Sequence, residues 1–313
     1  MLYEYAVDPE ITRRDFTALQ HLFGLFGLDR GRYISQLPKR DWLRMAYLAT
    51  EGRPELERAR IEILLKRAKA SKLFAYGRCY DANLPWLPNT HAAHMVRPFQ
   101  AIIASDPDPA VPAHVELDVV DEDHELLACS HTCRVPRTAA NLAEKLAPLA
   151  LIGKRLALID PFLDLRNTRG QDFRAIIREL LSALAAAGRE AVTLELHWRS
   201  HDSRPPEALV LKNARTWCVG IIPNGFKLEL YEWVEREGGE DFHDRFFLTE
   251  AGGIMSGAGF EDAGVHEQVQ LSLLSSEDAA SHLADLDENK GVFDLAFRPV
   301  IVESDGAVRT KSK

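Results

Sequence analysis

The sequence predicts an α/β protein, and three observations support this fold class. Its 313 residues are 46% hydrophobic and 27% charged, values typical of a folded globular protein. Apolar side chains recur at helical spacing through most of the first 75 residues. After Gly153, short apolar strands alternate with helical segments, which is typical of βαβ units in a largely parallel or mixed sheet. We therefore expect a mostly helical, partly α+β region at residues 1–150 and an α/β domain at residues 151–313.

Three helices are expected in the first part of the chain. Phenylalanine and leucine recur every three or four positions across residues 11–26, and Pro38 precedes a second periodic stretch that begins at Trp42. Pro54 stands where a third helix would start, and residues 55–72 place arginines and lysines on its polar face. Residues 99–104 and 114–120 are typical of short strands, and the alanine- and leucine-rich residues 138–150 predict another helix.

The second half of the chain alternates between strands and helices. Residues 172–187 predict a strong helix, with Gly188 in the position that follows a helix C-terminus. Residues 205–217 predict another helix, and Gly252 and Gly253 predict a tight turn between two strands. Strands are expected at residues 155–162, 191–198, 227–233, 243–249, 269–274 and 296–302, and another starts at Ile254.

Composition excludes several classes of protein. No run of about 18 apolar residues free of charge occurs, so no membrane span is expected. The N-terminus lacks the basic and apolar regions of a signal peptide. The four cysteines are too few for a secreted disulfide scaffold. We therefore expect a cytoplasmic protein.

Charge is distributed unevenly along the chain. The net charge is −9, yet residues 1–78 hold 15 Lys+Arg against 10 Asp+Glu, and the remainder holds 23 against 37. A basic N-terminal part could contact an acidic partner such as the backbone of a nucleic acid. A solvated helix face explains the same pattern, and no base-reading motif accompanies it.

The segment at residues 242–260 holds the candidate chemistry. His243 and Arg245 stand two positions apart on an expected strand and would project to the same side. A guanidinium is a planar fork suited to phosphate, and an imidazole beside it can act as a nucleophile or as an acid and base. The alternative is a structural strand followed by a glycine hairpin. Asp160 ends another strand, where open α/β sheets bind ligands, although a turn cap is an equally good role.

Two other groups are weaker candidates. Cys129, His131 and Cys133 could form part of a zinc site, but their spacing is not the usual Cys-x2-Cys, and no metal is expected. His197 or His201 could supply a second imidazole. The sequence contains no Walker A motif, no dinucleotide-binding glycine fingerprint and no Gly-x-Ser-x-Gly elbow.

The segment that begins at His243 resembles the His-x-Lys-x4-Asp-x6-Gly-Ser-x-Asn motif of the phospholipase D superfamily. The matching positions are His243 for the histidine, Arg245 for the lysine, Glu250 for the aspartate and Gly257 for the later glycine. Ala258 and Phe260 replace the serine and the asparagine. Upstream, Leu-Ile-Asp-Pro-Phe at residues 158–162 resembles the first strand of such domains. The resemblance covers roughly residues 154–302 and implies a phospholipase-D-like mixed β-sheet flanked by helices.

This resemblance implies a two-step phosphodiester reaction that requires no metal or other cofactor. His243 would attack phosphorus to form a phosphohistidine, Arg245 would neutralise charge on the phosphoryl group, and Glu250 would orient neighbouring groups. The phosphate would also be contacted by Ser256, Gly257 and Asp160. Since the chain has one motif, two copies of His243 would be paired in a homodimer. The expected activity is that of a metal-independent nuclease acting on DNA or RNA.

Residues 243–253 also resemble two groups of related domains. One is a set of uncharacterised bacterial proteins often suspected of roles in phage or mobile-element defence. The other is the C-terminal phospholipase-D-like domain of MIT-domain proteins, a lipid-binding module. The alternative function is therefore an inactive module that binds phosphate groups, lipid headgroups or a partner protein in a larger complex. The replacements at Ala258 and Phe260 favour this alternative.

Overall fold

The computed structural model describes residues 1–39, 41–75, 77–106, 108, 111, 113–166 and 172–312, and it confirms the α/β fold class. The chain divides into two compact units, Met1–His131 and Thr132–Lys313. This division falls before the expected boundary at residue 150, because the strand and the helix that follow Thr132 belong to the second unit. None of the helices in the described ranges has both the length and the hydrophobicity that a membrane span requires.

The first unit is built on a parallel sheet of five strands. The strands lie in the order β3-β2-β1-β4-β5, so the chain builds outward from β1 in both directions, as in doubly wound folds. A short 3-10 helix, Pro9–Arg13, follows the first strand. The elements are β1 (Tyr3–Val7), α1 (Phe16–Gly24), β2 (Arg32–Ser35), α2 (Trp42–Leu48), α3 (Glu55–Ser71), β3 (Leu73–Phe74), α4 (Trp86–Val96), β4 (Ala101–Ala104) and β5 (His114–Glu116).

Helices make up more of this unit than strands do, as expected, and they accompany a sheet whose first three strands were not expected. The strands are only two to five residues long. All four positions of β2 and of β4 are buried, so neither strand shows the alternation of a sheet with one wet face. Short buried runs of this kind cannot be distinguished from helix segments by periodicity.

Local capping explains why the first expected helix is divided. The Asp15 carboxylate accepts hydrogen bonds from the backbone N–H groups of Thr17 and Ala18, so α1 begins after Asp15 rather than at residue 11. The buried Trp42 at the start of α2 donates from Nε1 to the carbonyl of Val7, 2.7 Å away. This bond fixes α2 to the end of β1.

The second unit contains a mixed sheet flanked by helices. Its strand order is β15-β14-β9-β8-β7-β10-β11-β12-β6, and β13 also pairs with β9. Strands β7, β8 and β9 are mutually parallel, and the other pairs are antiparallel. The elements are β6 (Thr132–Arg137), α5 (Ala139–Ile152), β7 (Leu156–Ile159), α6 (Phe173–Ala186), β8 (Thr193–Arg199), α7 (Glu207–Cys218), β9 (Lys227–Glu235), β10 (Phe246–Thr249), β11 (Gly252–Ser256), β12 (Gly264–Leu274), α8 (Ser276–Asp285), β13 (Phe293–Leu295), β14 (Val300–Glu303) and β15 (Val308–Thr310).

The expected βαβ units at the start of this domain are confirmed. Helix α6 begins after Asp172, whose carboxylate accepts from the N–H groups of Arg174 and Ala175, and Gly188 follows the helix with a φ of 84°. Six large apolar side chains of α6 are buried, each contributing roughly 1.5–3 kcal/mol. This burial holds the crossover between β7 and β8 against the sheet.

Register in the centre of this sheet positions the candidate residues. Phe246 of β10 pairs with Ile159 of β7, so Asp160 and Arg245 follow as the next opposed pair. On the other side of β10, the Ser256 N–H donates to the carbonyl of Arg245 at 2.9 Å. Asp160, Arg245 and Ser256 therefore form one row across three neighbouring strands.

Two details of the hairpin differ from expectation. Strand β10 begins at Phe246, so His243 precedes the strand on which it was expected. The two expected turn glycines lie inside β11, and the turn itself is at Glu250 and Ala251. A Cβ added at Gly253 would lie 2.7 Å from the Leu248 side chain, so this glycine permits close packing rather than a turn.

Candidate functional site

A buried carboxylate lies at the carboxyl end of β7. The Asp160 side chain is fully buried; its Oδ1 accepts from the Phe162 N–H at 2.9 Å and its Oδ2 from the Phe260 N–H at 3.0 Å. Burial raises the pKa of Asp160 to about 6, although these two hydrogen bonds and the nearby Arg245 act in the opposite direction. Asp160 is therefore both a connector between two loops and a group that titrates near neutral pH.

Arg245 faces this carboxylate. Its Nε lies 3.8 Å from Asp160 Oδ2, and a quarter of its side chain is exposed. This Nε is buried and has no hydrogen-bond partner among the described residues. The charge of Asp160 therefore attracts the guanidinium, while the Nε–H group donates no hydrogen bond within the described part of the chain.

An exposed aromatic ring adjoins the guanidinium. Phe162 is 54% exposed, and the Arg245 Cζ lies 5.4 Å from its ring centroid. The Cζ of Arg199, the last residue of β8, lies 6.0 Å from the same ring. The carboxyl ends of β7 and β8 thus present one aromatic surface with two cations, at the position where open α/β sheets bind ligands.

A second buried ion pair supports the row. Glu261 is buried, and its Oε1 lies 3.4 Å from Arg137 Nη1. A Cβ at Gly259 would lie 1.8 Å from Glu261 Oε2, so the glycine leaves room for this carboxylate. Glu261 and Arg137 carry no recognisable motif, and the sequence did not indicate them, whereas Phe162 ends the Leu-Ile-Asp-Pro-Phe segment.

His243 does not join this row. Its side chain is 69% exposed, with Nδ1 3.1 Å from the carbonyl of Asp241 and Nε2 3.2 Å from Asp244 Oδ1. It lines a cavity of about 470 Å³, here called the His243 cavity, whose lining includes Phe246 but neither Arg245 nor Asp160. The expectation that His243 and Arg245 project together from one strand is wrong, because the strand begins only at Phe246.

Glu250 lies at the other end of β10 from Arg245. Its carboxylate accepts from the backbone N–H groups of Lys154 and Arg155 at 2.8–3.0 Å. The length of β10 separates it from Arg245 by roughly 15 Å. Glu250 therefore anchors the start of β7 and is not part of the Asp160 row.

Ser256 ends β11 in the same row as Asp160 and Arg245, and Gly257 follows it. The Ser256 Oγ donates to the carbonyl of Ala258 at 2.7 Å, and its N–H is bonded to Arg245. The Gly257 N–H donates to the carbonyl of Gln270 at 2.9 Å. These donors are already used within the hairpin, so they hold the loop rather than offer themselves to a phosphate.

The candidate second imidazole, His197, is fully buried. Its Nδ1 accepts from Trp233 Nε1 at 3.0 Å, and its Nε2 lies 3.2 Å from Glu195 Oε2. Burial lowers the pKa of His197. Although burial raises the pKa of Glu195, hydrogen bonds from His197 and Arg155 outweigh it and lower that pKa to about 2. Both nitrogens of this buried imidazole are therefore engaged within the protein.

The described residues contain no group of three or more metal-ligand side chains. The Cys129 thiol donates to the carbonyl of Arg30, with Sγ and oxygen 3.0 Å apart.

The basic helix expected from the sequence lines an open groove on the first unit. This groove lies along α2 and α3 and has a volume of about 820 Å³. Its charged lining consists of Lys39, Arg44, Arg58, Lys66, Lys69, Glu51 and Glu62. Cations therefore outnumber carboxylates, which suits a polyanion.

Comparisons with known proteins give little further information. No protein-family model matches the chain, and no curated protein matches it. Among solved structures, one match is TrmBL2, described as an archaeal chromatin protein with a novel mode of DNA binding. The two chains are 8% identical, and the alignment covers 57% of this chain and 58% of TrmBL2 with a TM-score of 0.28.

Proposed function

We propose that this chain is a non-hydrolytic, phospholipase-D-like module that binds the phosphate backbone of a nucleic acid strand through Arg245. One observation carries the proposal: the partly exposed Arg245 side chain lies beside the exposed Phe162 ring, with a second cation, Arg199, on the same ring. A guanidinium can bind a phosphate with two hydrogen bonds. An exposed aromatic ring between cations can stack a base, which is the combination that single-strand binding proteins use.

The order of elements supports the phospholipase-D-like assignment. The strands and helices run β7-α6-β8-α7-β9 and are followed by the β10–β11 hairpin, which carries the motif residues. This hairpin lies directly beside β7, and it places Arg245 opposite Asp160. Both segments on which the resemblance is based therefore meet at the carboxyl end of β7.

The surroundings of His243 argue against hydrolysis. A nucleophilic imidazole needs one unprotonated nitrogen aimed at phosphorus. Both nitrogens of His243 instead face oxygen atoms of the protein, the carbonyl of Asp241 and the carboxylate of Asp244. His243, which would be the nucleophile, lines the His243 cavity, and Arg245, which would bind the phosphate, does not.

A metal-independent phosphodiesterase is the second candidate, and one observation favours it. His243 is well exposed, with the Asp244 carboxylate beside it, so a substrate could reach the imidazole. In that case two copies of His243 would meet in a homodimer. A strict monomer by sedimentation would remove this candidate.

The test measures binding and cleavage in the same EDTA-containing buffer. A short fluorescein-labelled single strand would be titrated with wild type, Arg245→Ala, His243→Ala and a control, Arg309→Ala. Arg309 is a half-exposed arginine paired with Glu303, outside the site. We expect Arg245→Ala to weaken binding about tenfold or more, equivalent to about 1.4 kcal/mol, and the other two variants to bind as wild type.

The cleavage assay separates the two candidates. No EDTA-resistant cleavage is expected from any of these proteins. Cleavage by wild type that His243→Ala abolishes would replace the binding module with the phosphodiesterase. Equal binding by Arg245→Ala and Arg309→Ala would overturn the role of Arg245 altogether.

The basic groove offers a second place for the same strand. Binding that depends on its lysines and arginines should weaken steeply as salt rises, because phosphate contacts release counterions. An affinity that does not change with salt concentration would remove the groove from the proposal. The Arg245 site would then be tested by the Arg245→Ala variant alone.

A further inference from the structure

The His243 cavity has the size and the floor of a ligand site. Its volume of about 470 Å³ lies within the range of small-ligand pockets. The ring of His282 stacks on Phe246 with centroids 4.3 Å apart, which gives the floor a flat aromatic part. The apolar lining consists of Ile159, Phe242, Phe246, Leu248, Leu286 and Phe293.

The mouth of this cavity is strongly acidic. Four carboxylates line it, Glu240, Asp241, Asp244 and Asp285, and no lysine or arginine is among its described lining residues. Burial and the neighbouring Glu240 both raise the pKa of Asp285, which reflects the concentration of negative charge. Such a cavity repels phosphate, so it cannot serve the ligand proposed for Arg245.

We propose that the His243 cavity binds a basic segment of a partner protein, in which lysine or arginine alternates with apolar side chains. The apolar side chains would cover the floor, and the cationic groups would face the carboxylates at the mouth. Charge complementarity of this kind both steers association and selects the partner. In this arrangement His243 is a rim residue of a protein-binding site.

The distribution of charge favours a peptide over a small amine. The carboxylates come from two separate elements, residues 240–244 and the end of α8. A single amine could approach only part of this rim. A chain with several cationic side chains can approach both sides at once while its apolar residues remain on the floor.

The test uses labelled peptides of defined composition as probes. The main probe alternates leucine with lysine; a second alternates glycine with lysine, and a third alternates leucine with glutamate. Benzylamine serves as a small competitor. Fluorescence anisotropy would be measured with the whole chain at moderate salt, and we expect binding of the leucine–lysine peptide alone.

Two variants probe the cavity in different ways. Asp244→Asn with Asp285→Asn neutralises half of the rim, and Ser281→Trp places a bulky ring at an exposed position of the lining. Each should weaken the leucine–lysine peptide about tenfold. Glu179→Gln with Asp202→Asn removes the same charge from exposed positions elsewhere and should leave binding unchanged. Circular dichroism would establish that every variant is folded.

Each outcome decides the proposal. Equal binding of the glycine–lysine peptide would reduce the effect to unspecific charge attraction, and equal binding of the leucine–glutamate peptide would reduce it to apolar contact. Absence of binding by wild type, or an equal loss in the control variant, would overturn it. Full displacement by benzylamine at a matching concentration would replace the peptide with a small organic amine. None of these results depends on the Arg245 variant. The peptide proposal can therefore be overturned without affecting the nucleic-acid proposal, and the reverse also holds.

Discussion

The Arg245 site and the His243 cavity are made by neighbouring residues of one motif, yet they have opposite chemistry. Arg245 faces one buried carboxylate and shares an exposed ring with Arg199. His243 lines a cavity with four carboxylates and an apolar floor. The difference arises because β10 begins at Phe246. Arg245 lies directly before the strand and is still hydrogen-bonded to Ser256 of β11, whereas His243 lies outside the sheet. Residues that match one sequence motif therefore need not lie in one site.

The largest effect is expected from Asp160, which ties the Arg245 side of this comparison together. Asp160→Ala leaves the N–H groups of Phe162 and Phe260 without acceptors, and the second of these is buried. We expect a loss of about 3 kcal/mol in the free energy of unfolding, measured by urea denaturation. Asp202→Ala, at an exposed position, should cost almost nothing. A loss equal to that of the control would mean that the row is not held by this carboxylate.

The pH dependence of nucleic-acid binding sharpens the same comparison. Asp160 has a pKa of about 6 in the folded protein, so at pH 8 it is ionised and competes for Arg245. As pH falls through 6, its protonation releases the guanidinium, and the affinity for a phosphodiester should rise severalfold. The phosphodiester itself keeps its charge over this range. Asp160→Asn should bind with little change between pH 8 and 5.5, and a parallel rise in that variant would assign the effect to another group.

The smallest effect on stability is expected from a substitution of Glu250. This substitution tests whether a residue at a motif position has a purely structural role. Glu250→Ala removes the acceptor for the N–H groups of Lys154 and Arg155 at an exposed turn, where water can replace it. The expected cost is about 1 kcal/mol in stability, with oligonucleotide affinity unchanged. Glu144→Ala, which removes an exposed carboxylate paired with Lys145, is the matched control. Weaker binding without loss of stability would contradict the role of Glu250 as an anchor.

Much of the second unit could be predicted from local sequence. Residues 172–187 were predicted to form a helix followed by Gly188, and the structure confirms both. The strands that became β7, β8 and β9 were predicted from their apolar runs. Signals of this type act between residues a few positions apart, so the sequence displays them directly.

Only two strands of the first unit could be predicted in the same way, because residues 99–104 and 114–120 indicated β4 and β5. The other three strands, β1, β2 and β3, are short and lie within stretches whose helices dominate the pattern. The fold class was right for the whole chain, while the description of this part as mostly helical left out three strands of its sheet.

By itself the sequence determined the α/β class and the βαβ units of the second unit, and it indicated Asp160 and Arg245 as candidate site residues. Only the tertiary structure decided which of the candidate residues meet. Strand register brings Asp160 and Arg245 into one row with Ser256. The fold also brings Arg199 to the Phe162 ring and Glu261 near Asp160, and no local pattern indicates Arg199 or Glu261. The same register excludes His243 and Glu250. The physical reason is that a site is made of residues from strands far apart in the chain. Strand pairing sets the distances between those residues, and the residues that determine the pairing are not the site residues themselves.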